Sequence, residues 1–372
     1  MRKSSAGLRL ARPEPAAEPG IFPPVPGLLD RRLIFVTGKG GVGKSTVALA
    51  LGLLGARRGL RTIVAELSSN DRAQRTFERE GERFREVELA PGLFTISIDP
   101  QHAMEEYLRV KTGQLGQALG ASKLFGAFAM ATPGMRELLS MGKVWELAQL
   151  QRRTRGAAPY GLVVVDAPAS GHGVGILRTP RTFAEIARVG PIAHQGRTIA
   201  DTIADREFTA VVAVATGEEM PVNETVSLHE ALTRERLTLD AVIVNALYPS
   251  RFDDDEIAGL EESLRRARSP LTSTALRAAL SEHARGATQR EQRRRLGDAL
   301  STQLVELPYL FAESIGPPEL EALADALEAG LAEPPRAQTG LHAARGAEPG
   351  PVQRDAEAAA VREAGPHDGV RP

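Results

Sequence analysis

The chain has 372 residues, 42% hydrophobic and 25% charged, which suits one large α/β domain or two small ones with a sizeable core. Its 46 basic and 47 acidic residues leave a net charge of −1, which argues against a nucleic-acid-binding field and against a solvated acidic chain. The absence of cysteine excludes disulfides, zinc ribbons, iron–sulfur clusters and thiol catalysis, and it suits a reducing compartment.

Residues 1–30 are rich in proline and alanine and read as a flexible arm. The basic start runs into proline and charge where a signal peptide needs an apolar stretch, so a cytoplasmic protein is expected. No apolar run approaches the ~20 residues of a membrane span, and stable membrane insertion is not expected. The folded part is expected over 31–331. Short apolar runs at Leu33–Thr37, Thr62–Glu66, Leu93–Ile98, Leu162–Asp166, Ala210–Ala215, Ala241–Asn245 and Gln303–Leu307 have the continuous character of strands buried on both faces. Helical patterns between them predict right-handed crossovers and an α/β fold with a doubly wound, mostly parallel sheet. Residues 101–158 offer no strand and carry methionines at 104, 130, 135 and 141, which predicts a helical insertion, joined by a second helical stretch over 177–207. From 332 to 372 large apolar residues nearly vanish, which predicts a disordered tail.

The sharpest signal is Gly38-Lys39-Gly40-Gly41-Val42-Gly43-Lys44-Ser45-Thr46, a match to G-x-x-x-x-G-K-[ST] between a strand and an apolar helix. Glycines let backbone N–H groups turn in around phosphate oxygens, and the helix N-terminus adds a favourable field for anions. Lys44 is expected to reach the β- and γ-phosphates, and the Ser45 hydroxyl to ligate Mg²⁺. A second signal is Leu162-Val163-Val164-Val165-Asp166, an apolar strand ending in an acid, which predicts the carboxylate that holds Mg²⁺ in an ATP site, usually through water.

The form GKGGVGKST resembles the deviant Walker A of the MinD/ParA/ArsA branch of P-loop ATPases. Asp166-Ala167-Pro168-Ala169-Ser170-Gly171-His172 resembles the switch II sequence of the ArsA/GET-type ATPases, the arsenite-pump and tail-anchored-protein-targeting enzymes. Pro133-Gly134-Met135-Arg136-Glu137 is similar to the family's P-G-x-x-E helix, and Leu307-Pro308-Tyr309 to its late adenine-side loop. The resemblance implies an ATP-hydrolysing homodimeric switch. In it Lys39 would act in trans on the partner's nucleotide, Gly171 would sense the γ-phosphate, and Asn245 would contact adenine. An asparagine at a strand end is equally a turn former, and His172 is either a switch residue or a hydrogen-bonded loop histidine.

Departures from the family pattern limit what it implies. The expected switch I aspartate position holds Ser68, so Glu66 or Asp71 must take over its role, with Glu66 favoured near the metal; Glu66 could equally cap the next helix. Without cysteine there is no thiol site for arsenite and no C-x-x-C zinc at a dimer interface. Alternative functions are a carrier or chaperone for a hydrophobic client, a MinD/ParA-like positioning ATPase, and a slow or non-hydrolysing nucleotide-bound scaffold. Asp253-Asp254-Asp255-Glu256 is expected to serve a helix N-terminus rather than a metal. Arg290, Arg293, Arg294 and Arg295 are expected to form a solvated helix face, with no nucleic-acid partner.

Overall fold

Along β1 (Leu33–Gly38), Leu33 and Phe35 point into one apolar cluster, and Ile34 and Val36 point into another. Successive side chains of a strand face opposite ways, so an unbroken apolar run marks a strand covered on both sides. The computed structural model describes residues 27–67, 71–82, 84–107, 132–153, 156–187 and 190–332. The chain divides into Met1–Pro335 and Arg336–Pro372, and the second unit lies wholly outside the described residues. The expected N-terminal arm (except 27–30) and the expected tail (except Ala332) lie outside them as well.

The described chain forms one eight-stranded sheet with helices on both faces. β1 is followed by α1 (Lys44–Arg57), β2 (Thr62–Glu66), α2 (Arg72–Thr76), β3 (Val87–Ala90), β4 (Leu93–Ser97) and α3 (Met135–Leu147). Then come β5 (Leu162–Asp166), α4 (Ser170–Ala187), α5 (Pro191–Ala204), β6 (Thr209–Thr216), α6 (Glu219–Arg234) and β7 (Ala241–Leu247). The chain continues through α7 (Asp254–Arg266), α8 (Pro270–Ala299), β8 (Gln303–Pro308) and α9 (Pro317–Ala332). The strand order is β3-β4-β2-β5-β1-β6-β7-β8, parallel throughout except for β3 against β4. Helices α1 and α9 cover one face, and α3, α4, α5, α6 and the end of α8 cover the other.

All seven expected strands are present, within two residues at each end. The eighth, β3, is an addition. Only Leu89 of its four residues is buried, and a short edge strand of this kind has neither a continuous apolar run nor enough alternation to stand out. Its antiparallel pairing with β4 follows from the tight Pro91-Gly92 turn, with Gly92 at φ +77°.

In the expected insertion, residues 100–107 and α3 are helical, and 108–131 fall outside the description. Met104 and Met141 are buried and Met135 packs at the edge of the core. Met130 is outside the described residues. Asp253 caps α7, accepting from the Glu256 N–H at 2.8 Å while Glu256 Oε2 accepts from the Asp253 N–H at 3.0 Å. Arg293 and Arg294 are paired with Glu306 and Glu291. Among the described residues, no helix is long and apolar enough to cross a membrane.

Candidate active site

The centre of the sheet positions the site. β1 lies between β5 and β6, and the chain leaves β1 towards β2 on one side and later reaches β6 on the other, so a crevice opens at the carboxyl ends of these strands. Gly38 ends β1 with φ +142°, where a Cβ would collide with the Val214 carbonyl. The loop then turns through Gly40, Gly41 (φ +87°), buried Val42 and Gly43 (φ +93°) into α1. A Cβ on Gly40 or Gly41 would meet nothing, so the loop borders open space. No side chain caps the N-terminus of α1, which leaves the amides of its first turn, from Lys44, Ser45 and Thr46, without a capping acceptor.

Lys44 lies across this loop, its Nζ donating to the Lys39 carbonyl at 2.8 Å. Burial lowers its pKa, the nearby Asp166 carboxylate pulls it back up, and Arg72 lowers it again. Asp166, at the end of β5, accepts a hydrogen bond from the Ser45 side chain. Burial raises its pKa, and Ser45, Lys44 and Arg72 act against that rise. The two expected Mg²⁺ ligands are therefore joined at the mouth of the loop, and hydroxyl and carboxylate oxygens are the donor types that suit this hard cation. Open space beside two glycines, uncapped amides and an inward lysine likewise fit a phosphate chain.

Glu66 lies beside Asp166 in the β2–β5 register and beside Ser97 in the β2–β4 register. Its Oε1 accepts from the Arg72 N–H at 3.0 Å and the Ala73 N–H at 3.3 Å, so it caps α2, the second of the two roles expected for it. The Ser97 hydroxyl lies 3.5 Å from its Oε2 and donates to Asp71 Oδ1 at 2.6 Å. Burial pushes Glu66 up to about 7; the Ala73 amide works against this and the Asp166 charge adds to it. Asp71, the other candidate for the switch I role, adopts the left-handed region at φ +44°. Ser68 lies outside the described residues.

Lys39 points away from the loop to α6, where its Nζ meets Glu224 Oε1 at 2.7 Å. Asn245 Nδ2 donates to the Val42 carbonyl at 2.9 Å, so the asparagine braces the phosphate loop from β7. Gly171 lies in the first turn of α4, and the side chain of His172 is outside the description. Gly134 (φ +79°) opens α3 against Phe183 and Thr179 of α4, so the P-G-x-x-E helix does lie beside the segment following Asp166. Tyr309 stacks on Tyr248 with ring centres 4.7 Å apart.

Three contributors had no sequence signal: Ser97, Arg72 and Glu224. Each reaches the neighbourhood through strand register or helix packing, which no local spacing encodes.

A parallel sheet with a glycine-rich loop between its central strand and the next helix defines the P-loop NTPase class. The profile of the ArsA-type anion-transporting ATPase family matches residues 31–190 and 186–267. The chain belongs to that family and is an ATPase, as its phosphate motifs lead one to expect. It is 31% identical over 240 residues to the ATPase BagA of Mycobacterium tuberculosis, covering 62% of this chain and 69% of that protein. It is 27% identical over 276 residues to the ATPase GET3 of Paracoccidioides lutzii, with 62% and 78% covered, and 28% identical over 264 residues to the ATPase GET3 of Candida glabrata, with 60% and 74% covered.

Proposed function

We propose that this protein is a Mg²⁺-dependent, homodimeric switch ATPase in which nucleotide state sets the opening and closing of the dimer. The observation that carries the reading is the placement of Lys44 and of the Ser45–Asp166 pair at one mouth of the glycine loop. The loop amides and the α1 N-terminus hold the phosphate chain, and Lys44 leaves the Lys39 carbonyl to meet the β- and γ-oxygens. Bound Mg²⁺, held by Ser45 and Asp166, supplies positive charge to the phosphate oxygens. Glu66 orients the attacking water with the oxygen not committed to α2, and its pKa, raised to about 7, suits it to accept that water's proton near neutral pH. Gly171, at the start of α4, passes γ-phosphate contact to that helix, and Asn245, its Nδ2 held by the Val42 carbonyl, meets the base edge through Oδ1. Lys39 is the residue that completes the partner's site, stabilising charge in the transition state. The Glu224 pairing supports this, because it keeps Lys39 off its own loop and partly exposed.

The test is phosphate release by the purified protein with and without Mg²⁺, alongside Lys44→Ala. Release that needs Mg²⁺ and is lost in the variant is expected. Mg²⁺-independent release would overturn the metal assignment. Absence of release with intact ATP binding would point instead to a nucleotide-bound scaffold.

A further inference from the structure

β7 and β8 pair in register as far as Val244 with Glu306 and resume at Leu247 with Pro308, so Asn245 and Ala246 together stand opposite Leu307. This is a β-bulge, a device that re-aims a side chain at the edge of a site. It holds Ala246 at φ +59°, a region that a non-glycine residue keeps only when its surroundings impose it.

The imposing group is Gln289 of α8, only 8% exposed. Its Oε1 accepts from the Tyr248 N–H at 2.8 Å and its Nε2 donates to the Ala246 carbonyl at 3.0 Å. One side-chain amide thus pairs both backbone groups that flank Leu247. Close helix approach makes this reach possible. A Cβ on Gly217 would stand 2.8 Å from Gln289 Cβ, and Gly286, one turn before Gln289, faces Tyr248. On the other side of the bulge, Asn245 donates to the Val42 carbonyl and presses so closely on Gly43 that no side chain fits there.

We propose that Gln289 is a positioning residue for the phosphate loop. It fills the bulge, the filled bulge aims Asn245, and Asn245 fixes Val42 and Gly43 where the loop turns into α1. The chain of contacts ties α8 to a loop it does not itself bond. Its consequence for ATP rests on the reading of that loop as the phosphate site; its consequence for loop order does not.

The experiment uses the full chain with Gln289→Leu, which keeps volume and removes both hydrogen bonds, and Gln289→Glu, which keeps the acceptor and loses the donor. In nucleotide-free protein, amide hydrogen exchange over residues 38–46 should be several-fold faster in Gln289→Leu and in Asn245→Ala, with exchange in α9 unchanged. ATP should bind about tenfold more weakly in Gln289→Leu, the size of one lost buried hydrogen bond, with turnover at saturating ATP within about twofold. The Asn245→Ala/Gln289→Leu double variant should bind no more weakly than Asn245→Ala, because the two residues act in series. Unchanged loop exchange in folded Gln289→Leu, or losses that multiply in the double variant, would overturn the proposal. Should Gln289→Leu not fold, Gln289→Glu decides by the same exchange. Failure of the unmodified protein to bind ATP would sink the phosphate reading, while the exchange data would still decide the role of Gln289.

Discussion

Glu66 and Asp166 end adjacent parallel strands at the same register position, side by side at the carboxyl edge of the sheet. Burial raises the pKa of both carboxylates, and the Asp166 charge adds to the rise at Glu66. Asp166 has Ser45, Lys44 and Arg72 to favour its charge, whereas Glu66 has the α2 amides. The division matches one acid facing a cation and one serving the backbone.

Stability should report this pair. Glu66 rises from 4.5 unfolded to about 7 folded, so between those values the native state holds a proton the unfolded chain has lost. Stability therefore falls as pH rises through that window, and the cost is complete above it. Glu66→Gln cannot ionise. In chelator and without nucleotide it should be more stable than the parent at about pH 8, by roughly 3 kcal/mol, with the gain shrinking towards about pH 5. Thermal unfolding at both values checks this; a pH-independent difference would rule the linkage out.

The loop glycines should not be equivalent. Gly38→Ala drives a Cβ into the Val214 carbonyl, part of the β6 backbone that cannot move aside, and should cost about 3 kcal/mol or more. Gly41→Ala faces open space and carries only left-handed strain, about 1–2 kcal/mol. Denaturant midpoints rank the two, and equal losses would contradict the geometry.

Lys44 and Lys39 should separate binding from turnover. Lys44→Ala removes the charge that spans the loop and should abolish ATP binding. Lys39→Ala should bind ATP and lose turnover, and normal turnover would eliminate the trans role. The Lys39–Glu224 pair is about a third exposed, so neither Lys39→Ala nor Glu224→Gln should change stability by more than about 1 kcal/mol.

A buried charge cluster offers a control far from nucleotide chemistry. Arg152 is 1% exposed and pairs with Glu146 and Glu86, while Lys143 also meets Glu146. Burial pushes both acids up, and their cationic partners more than offset it. Arg152→Met leaves Glu146 with Lys143 and Glu86 with the Tyr160 hydroxyl, and should cost about 3 kcal/mol. Partial restoration by Arg152→Met/Glu146→Leu, seen in the melting temperature, would show that the uncompensated charge is the cause.

Much of the architecture was legible beforehand because buried parallel strands print themselves as continuous apolar runs. Leu33–Thr37 and Leu162–Asp166 are of this kind, and their ends carry the two phosphate motifs. β3 was not legible, since an edge strand with one buried side chain leaves too short a trace. At the site, Lys44 and Ser45 stand out because a phosphate loop needs those residue types at that spacing, and Asp166 because an acid ends an apolar strand.

What sequence alone determined is therefore local: strand–glycine loop–helix, the acid ending β5, and the absence of any thiol chemistry. Only the tertiary structure decided that Glu66 caps α2 beside Asp166, that Lys39 turns to Glu224, and that Asn245 braces Val42 from a bulge held by Gln289. The physical reason is separation along the chain. Those partners lie from six to more than two hundred residues apart, and their meeting depends on strand register, helix approach and one extra residue in a strand, none of which residue type and spacing determine.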